Sequence, residues 1–339
     1  MDKLVQELLA GSRRALARML TVVENERDGM QSALAQLFPH TGQAWVIGVT
    51  GAPGTGKSSL VNVLAKAYRE RDKTVAILAV DPTSPFSGGA ILGDRIRMTE
   101  LQGDKGAFIR SMATRGSLGG LARASRDAVR VLDAAGFDII IVETVGAGQS
   151  EVDIVQTADT TLVIEAPGLG DDVQAIKAGI LEIADILVVN KADRIGADQT
   201  VRGLRAMLEL GHPTSRNAFT THHGQLLVTD NNDSQHTPDI VDDTWLPPVI
   251  KTSAIENEGI DDLVEKIAQH RDFLAESGTA EILKSRYIEI ELHERLRLAL
   301  MQRLTTTVPT DILQGIIRKI YARELDPQSA VEQLLTHFY

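Results

Sequence analysis

The sequence predicts an α/β fold: a mainly parallel sheet flanked by helices, with helical extensions at both ends of the chain. Three observations carry this expectation. Between Ala44 and about Glu276, short β-branched apolar runs alternate with helical stretches, the rhythm of strand–helix–strand units. Most of these runs are apolar at every position, not at every second one, as strands covered on both faces require. The first of them runs straight into a glycine-rich loop that opens a helix.

Taken in order, residues 1–43 read as helical. MDKLVQELLAGSRRALARML has the pattern of an amphipathic helix, and Pro39 and Gly42 break the segment off. The predicted strands are AWVIGVT (44–50), TVAILAV (74–80), FDIIIVE (137–143), TTLVIEA (160–166), DILVVN (185–190) and PVIKTS (248–253). The stretch from Gly211 to Asp243 is polar and rich in Thr, His, Asn and Asp, and reads as a long surface excursion. Beyond Gly278 strand signals cease, and ILKSRYIEIELHERLRLALMQRL predicts a long amphipathic helix. Three zones follow: a helical extension (1–43), an α/β domain that contains the glycine-rich loop (44–277) and a helical arm (278–339). The apolar face of the arm is expected to hold a homodimer together.

Composition narrows the function. With 339 residues, 43% hydrophobic and 24% charged, the chain can bury a real core. A net charge of −11 argues against a nucleic-acid partner, which calls for a basic face. The absence of cysteine excludes disulfides, thiolate zinc sites and cysteine nucleophiles. No apolar run reaches the roughly 18 residues of a membrane span, and the N-terminus lacks a signal-peptide core. The expectation is a cytoplasmic protein with no membrane partner.

The glycine-rich loop carries the first chemistry. Gly51-Ala52-Pro53-Gly54-Thr55-Gly56-Lys57-Ser58 matches the phosphate-binding pattern G-x-x-x-x-G-K-[ST], between a strand and the helical SLVNVLAKAYRERD. Its glycines let backbone N–H groups close on phosphates at a helix N-terminus, where the macrodipole also favours an anion. Lys57 would reach the β- and γ-phosphates and the Ser58 hydroxyl would ligate Mg²⁺, with Ser59 beside it in the first helical turn. The bland alternative is a chance glycine-rich turn, against which the flanking strand and helix argue. Asn190-Lys191-Ala192-Asp193 then closes the strand DILVVN. A carboxylate there can accept from guanine N1–H and the 2-amino group together, a donor pair adenine lacks. Asn190 would bridge toward the base and the phosphate loop, and Lys191 would pack along the ring. Ser253-Ala254-Ile255 supply a loop whose backbone N–H can meet guanine O6. Asp81 and Glu143 end two strands, positions from which carboxylates hold Mg²⁺-bound waters. Gly146 can offer its N–H to the γ-phosphate. Asp94, in SGGAILGDRIRM, is a third metal candidate, with a solvated loop carboxylate as the competing reading.

Several segments match a known family. DPTSPFSGGAILGDRIRM (81–98), FDIIIVETVGAGQSE (137–151), GDDVQAIKAGILEIAD (170–185), NKAD and SAI together resemble the MeaB/ArgK group, GTPase chaperones of adenosylcobalamin-dependent acyl-CoA mutases such as methylmalonyl-CoA mutase. The resemblance implies a SIMIBI-class P-loop fold, homodimerisation through the C-terminal helices, and GTP-gated delivery and protection of cobalamin. The adenosylcobalamin would be held by the partner mutase, not by this chain. By the same match Asp81, Asp94 and Glu143 look like the Mg²⁺ shell. Residues 81–98 and 143–151 look like two switches, and 168–179 like a third that includes Lys177. From the residues alone, Lys177 reads as a solvated helix cation. One departure is IEAPGLGDDVQAIKAG, where relatives vary around G-A-G-D, so the third switch need not behave identically. Rival readings remain. A nickel metallochaperone would want cysteine or a histidine tract, and here only His222 and His223 are adjacent. A transport-associated ATPase or kinase is disfavoured by Asp193. A GTP-binding scaffold without turnover stays open. Gly146 is followed by Ala147 and not by the water-orienting glutamine of Ras-like enzymes, so turnover without a partner is expected to be slow.

Overall fold

In a computed structural model the described residues are 1–82, 101, 103–114, 120–144, 157–168, 183–209 and 245–336. Seven strands form one sheet: β1 Trp45–Thr50, β2 Val75–Pro82, β3 Ala107–Thr114, β4 Ile139–Thr144, β5 Thr160–Glu165, β6 Ile186–Val189 and β7 Val249–Lys251. Their order is β3-β2-β4-β1-β5-β6-β7, and every neighbouring pair is parallel. The six strands expected from apolar runs are all present. The seventh, β3, escaped because Arg110 and Ser111 interrupt its apolar pattern. As an edge strand it needs cover on fewer sides, and Arg110 leaves the sheet to pair with Glu24 at 2.5 Å.

Strand alternation sorts the apolar side chains into two cores, one on each face. On one face Ile47, Val49, Ile77, Ile141, Leu162 and Val188 pack with α4 (Lys57–Arg69) and α7 (Ile260–Glu276). On the other, Val46, Leu78, Ile140, Val142, Val163 and Val189 meet the remaining described helices of this unit. These are α1 (Asp2–Leu9), α2 (Arg13–Glu24), α3 (Met30–Leu37), α5 (Gly120–Ala134) and α6 (Ala197–Glu209). Met19, Leu20 and Leu37 are fully buried in that second core, so the N-terminal helices are part of the α/β unit and not an appendage. Arg13 fastens α2 to the turn before β3, donating to the carbonyls of Asp104, Lys105 and Ala107. At the N-terminal ends of the strands, Trp45 Nε1 donates to Thr160 Oγ1 at 3.0 Å. His270 Nδ1 lies 2.9 Å from the same hydroxyl, anchoring α7 to the sheet.

Two compact units are seen, Met1–Ser277 and Gly278–Tyr339. The second holds α8 (Thr279–Thr307), α9 (Thr310–Tyr321) and α10 (Pro327–Thr336), with α9 packed on α10. The long helix forms as expected, but its single apolar face does not. Ile288, Leu292, Leu296 and Leu300 follow a four-residue spacing, whereas Leu298 and Met301 lie off that row, and all six are exposed. No helix among the described residues is long and apolar enough to cross a membrane.

Candidate functional site at the carboxyl ends of the strands

Ligand sites of parallel sheets lie where strands end and helices begin, and the chemistry-bearing residues of this chain gather there. The loop from Gly51 leaves the central strand β1 and returns into α4 at Lys57, with Gly56 as its N-cap at φ 90°. Only glycine suits this position, for a Cβ at Gly56 would come within 2.6 Å of Asn190 Nδ2. A Cβ at Gly51 would collide with the Ile164 carbonyl of β5. Lys57 is buried, and its Nζ donates to the Gly51 and Ala52 carbonyls at 2.7 and 3.0 Å, curling the ammonium over the loop that incoming phosphates would enter. Thr55 Oγ1 donates to the Ala52 carbonyl at 3.0 Å and tightens the same turn.

Across the sheet, Asn190 ties this loop to the one that carries Ser253. Its Nδ2 donates to the Thr55 carbonyl at 2.9 Å and to that of Gly56 at 3.3 Å. Its Oδ1 accepts from Thr252 Oγ1 and the Ala254 N–H, each at 3.3 Å. Lys191, held at φ 58°, donates from Nζ to the Gly54 carbonyl at 2.6 Å, so its aliphatic stem spans from one loop to the other. Asp193 is exposed, and Ser253 Oγ donates to its Oδ1 at 2.8 Å, which orients the carboxylate. Ser253 is buried, Ala254 is half-buried and Ile255 stands 78% exposed, so this turn runs outward to the surface. Sequence reasoning missed Thr252. Its signal was its place directly before Ser253 at a strand end.

The third group sits at the ends of β2 and β4. Glu143 is buried, and Ser58 Oγ donates to its Oε1 at 2.6 Å, bringing α4 and β4 together. Asp81 stands near the end of β2, paired in register with Ala113 of β3. A hydroxyl oxygen and a carboxylate oxygen so close together are hard donors, the kind Mg²⁺ takes. Among the described residues no group of three or more His, Asp or Glu side chains could hold a metal ion. Pro53, Gly54 and Ser59 occupy the loop and first helical turn as the motif requires. Asp94, Gly146 and Lys177, with most of the three segments expected to be switches and the expected 211–243 excursion, lie outside the described residues.

The pattern of the family described as "Methylmalonyl Co-A mutase-associated GTPase MeaB" matches residues 16–308. The chain belongs to the MeaB family. A protein named as a GTPase in Pyrococcus abyssi is 44% identical over 98% of this chain and 95% of its own length. The mitochondrial methylmalonic aciduria type A homolog of Caenorhabditis elegans is 33% identical over 83% of this chain and 68% of its own. The crystal structure of a LAO/AO transport system kinase superposes with a TM-score of 0.70 at 24% identity, covering 99% of this chain and 97% of that one. At that identity the superposition speaks to the P-loop fold alone, and the fold agrees. As a MeaB-family GTPase, this chain places its phosphate loop on the central strand, flanked on one side by the Glu143 strand end and on the other by Asn190 and Ser253.

Proposed function

We propose that this MeaB-family protein is a Mg²⁺-dependent GTP hydrolase that serves as chaperone to an adenosylcobalamin-dependent acyl-CoA mutase of the methylmalonyl-CoA mutase type. In this reading it gates cofactor loading and protects the mutase, which itself holds the adenosylcobalamin. Asn190 is the observation that carries the nucleotide half: one buried amide locks the phosphate loop to the loop bearing Ser253, so both ends of a guanine nucleotide find prepared groups. Gly51 to Ser59 would cradle the phosphates, while Asp193, with Ala254 and Ile255, would read the guanine. Lys57 would neutralise charge at the transferred phosphoryl group. Ser58, Glu143, Asp81 and Asp94 would hold the Mg²⁺, which when bound stabilises the charge that develops on the phosphate oxygens. Gly146 and Lys177 belong to the proposal as a γ-phosphate donor and a switch cation. The mutase half rests on the family description and on kinship with the methylmalonic aciduria type A homolog.

The exposed apolar side chains of α8 support a homodimer built through the C-terminal arm. The deciding experiment is steady-state hydrolysis of GTP and ATP, with and without a purified adenosylcobalamin-dependent mutase. Slow GTP turnover alone, of order 10⁻⁴–10⁻³ s⁻¹, with acceleration by the mutase and none with ATP, is the expected result. Turnover indifferent to every such mutase would refute the chaperone role, and preference for ATP would refute the guanine site.

A further inference from the structure

Two threonine hydroxyls meet behind the phosphate loop in a place where packing alone asks for valine. Thr50, the last residue of β1, is 0% exposed, and Thr144, the last residue of β4, is 3% exposed. Thr144 Oγ1 donates to Thr50 Oγ1 at 3.1 Å. By strand alternation both side chains share the sheet face of Val46, Val142 and Val163, the apolar core away from α4. Valine has the same shape, so two hydroxyls buried there need a reason beyond volume.

Register supplies it. The backbone ladder between β1 and β4 runs from Trp45↔Ile139 to Val49↔Glu143, and the hydroxyl pair continues the join one step beyond it. The step matters because Gly51 and the phosphate loop begin after Thr50, while Glu143 directly precedes Thr144 and points to the opposite face, where Ser58 meets it at 2.6 Å. The end of β4 is therefore gripped from both faces, by Ser58 on one and by Thr50 on the other.

We propose that the Thr50–Thr144 pair is a positioning clamp for the metal site, holding the strand end that carries Glu143 at a fixed offset from the loop that carries Ser58. Both threonines are buried and bonded to each other, so the part proposed for them is positioning and not ligation. This rests on the reading of Ser58 and Glu143 as Mg²⁺ ligands. Its signature is selective: nucleotide binding without Mg²⁺ survives loss of the clamp, and the metal's contribution to binding weakens.

The test uses the full-length protein with Thr50→Val, Thr144→Val, the double variant and Thr144→Ser, after thermal melts confirm folding. A fluorescent, non-hydrolysable GTP analogue is titrated with and without MgCl₂, and MgCl₂ is titrated into the analogue complex. Each valine variant is expected to raise the half-saturating Mg²⁺ about ten-fold, the usual scale for one buried hydrogen bond, with Mg²⁺-free affinity within about two-fold of the parent. The double variant should fall no further than either single one, because the two hydroxyls act as one unit. Thr144→Ser, which keeps the donor, should restore the parental Mg²⁺ response. Valine variants with parental Mg²⁺ titrations overturn the clamp while leaving the site reading intact. Equal losses with and without Mg²⁺ also overturn it, since they mark general support of the loop. A parent protein that binds the analogue with no response to Mg²⁺ overturns the clamp and the metal reading together.

Discussion

Asp193 and Asn190 lie three residues apart in sequence and do different work. Asn190 is 1% exposed and uses both ends of its amide within the protein, so its role is architectural. Asp193 is exposed and oriented by Ser253, and in the proposed function its carboxylate discriminates between bases. Asp193→Asn is expected to weaken GTP binding roughly 30- to 1000-fold, the 2–4 kcal/mol scale of a lost charged hydrogen-bonding partner. The same change should favour xanthosine triphosphate, whose 2-oxo group suits an amide donor. Titrating both nucleotides against both proteins checks this, and unchanged GTP affinity would move the guanine pocket elsewhere. The bridge that Asn190 makes to the phosphate loop was legible in sequence from its place at a strand end in N-K-x-D. Thr50, Thr144 and Thr252 were not legible. A single threonine at a strand end looks like β-propensity until the neighbouring strand shows what its hydroxyl meets.

At the scale of elements, the phosphate loop is determined by two glycines that no other residue can replace. Gly56→Ala would force a side chain into φ 90° and against Asn190, pushing apart the two loops that Asn190 joins. Its expected effect is loss of GTP binding by at least about ten-fold with a smaller loss of stability, read by titration and by thermal melting. The element that sequence reading passed over, β3, is held by polar contacts that hydrophobic periodicity does not register. Arg69, near the end of α4, grips Asp104 through Nε and Nη2 at 2.8 and 3.0 Å, just before the strand begins. Chiefly through that bond, and then through the Gly106 N–H, the carboxyl of Asp104 is held below the usual carboxylate range. A depressed folded-state pKa gives stability that is present above the ordinary carboxylate pKa of about 4 and fades as pH falls through the folded value. Arg69→Ala is therefore expected to cost about 0.5–1 kcal/mol at pH 7, discounted for partial exposure, and progressively less below pH 4. Denaturant melts across that range test it; a deficit that persists undiminished at pH 2 would assign the loss to packing.

For the whole molecule, the proposed dimer turns on α8, whose row Ile288, Leu292, Leu296 and Leu300 stays exposed. Replacing Leu292 and Leu296 together by Glu should halve the mass seen by light scattering and leave GTP binding intact, since neither residue belongs to the unit that carries the nucleotide site. A variant that still scatters as a dimer rules out this row as the interface. The helix itself was legible from composition, but which way its apolar residues face was not, because they are spread around the helix and not confined to one stripe. The strand order has a consequence for biogenesis. The central strand β1 pairs with nothing near it in the chain: Val46 waits for Ile140, and Ile47 for Thr160. At synthesis speeds of about 5–20 residues per second, on the order of ten seconds pass between the emergence of β1 from the ribosome and that of its later partner. Until α5 and β4 follow, Leu8, Met19, Leu20 and Leu37 of the N-terminal helices lack the completed core in which they are buried. Slowing translation before β4 is therefore expected to lengthen the time these apolar helices stay open to aggregation and proteolysis.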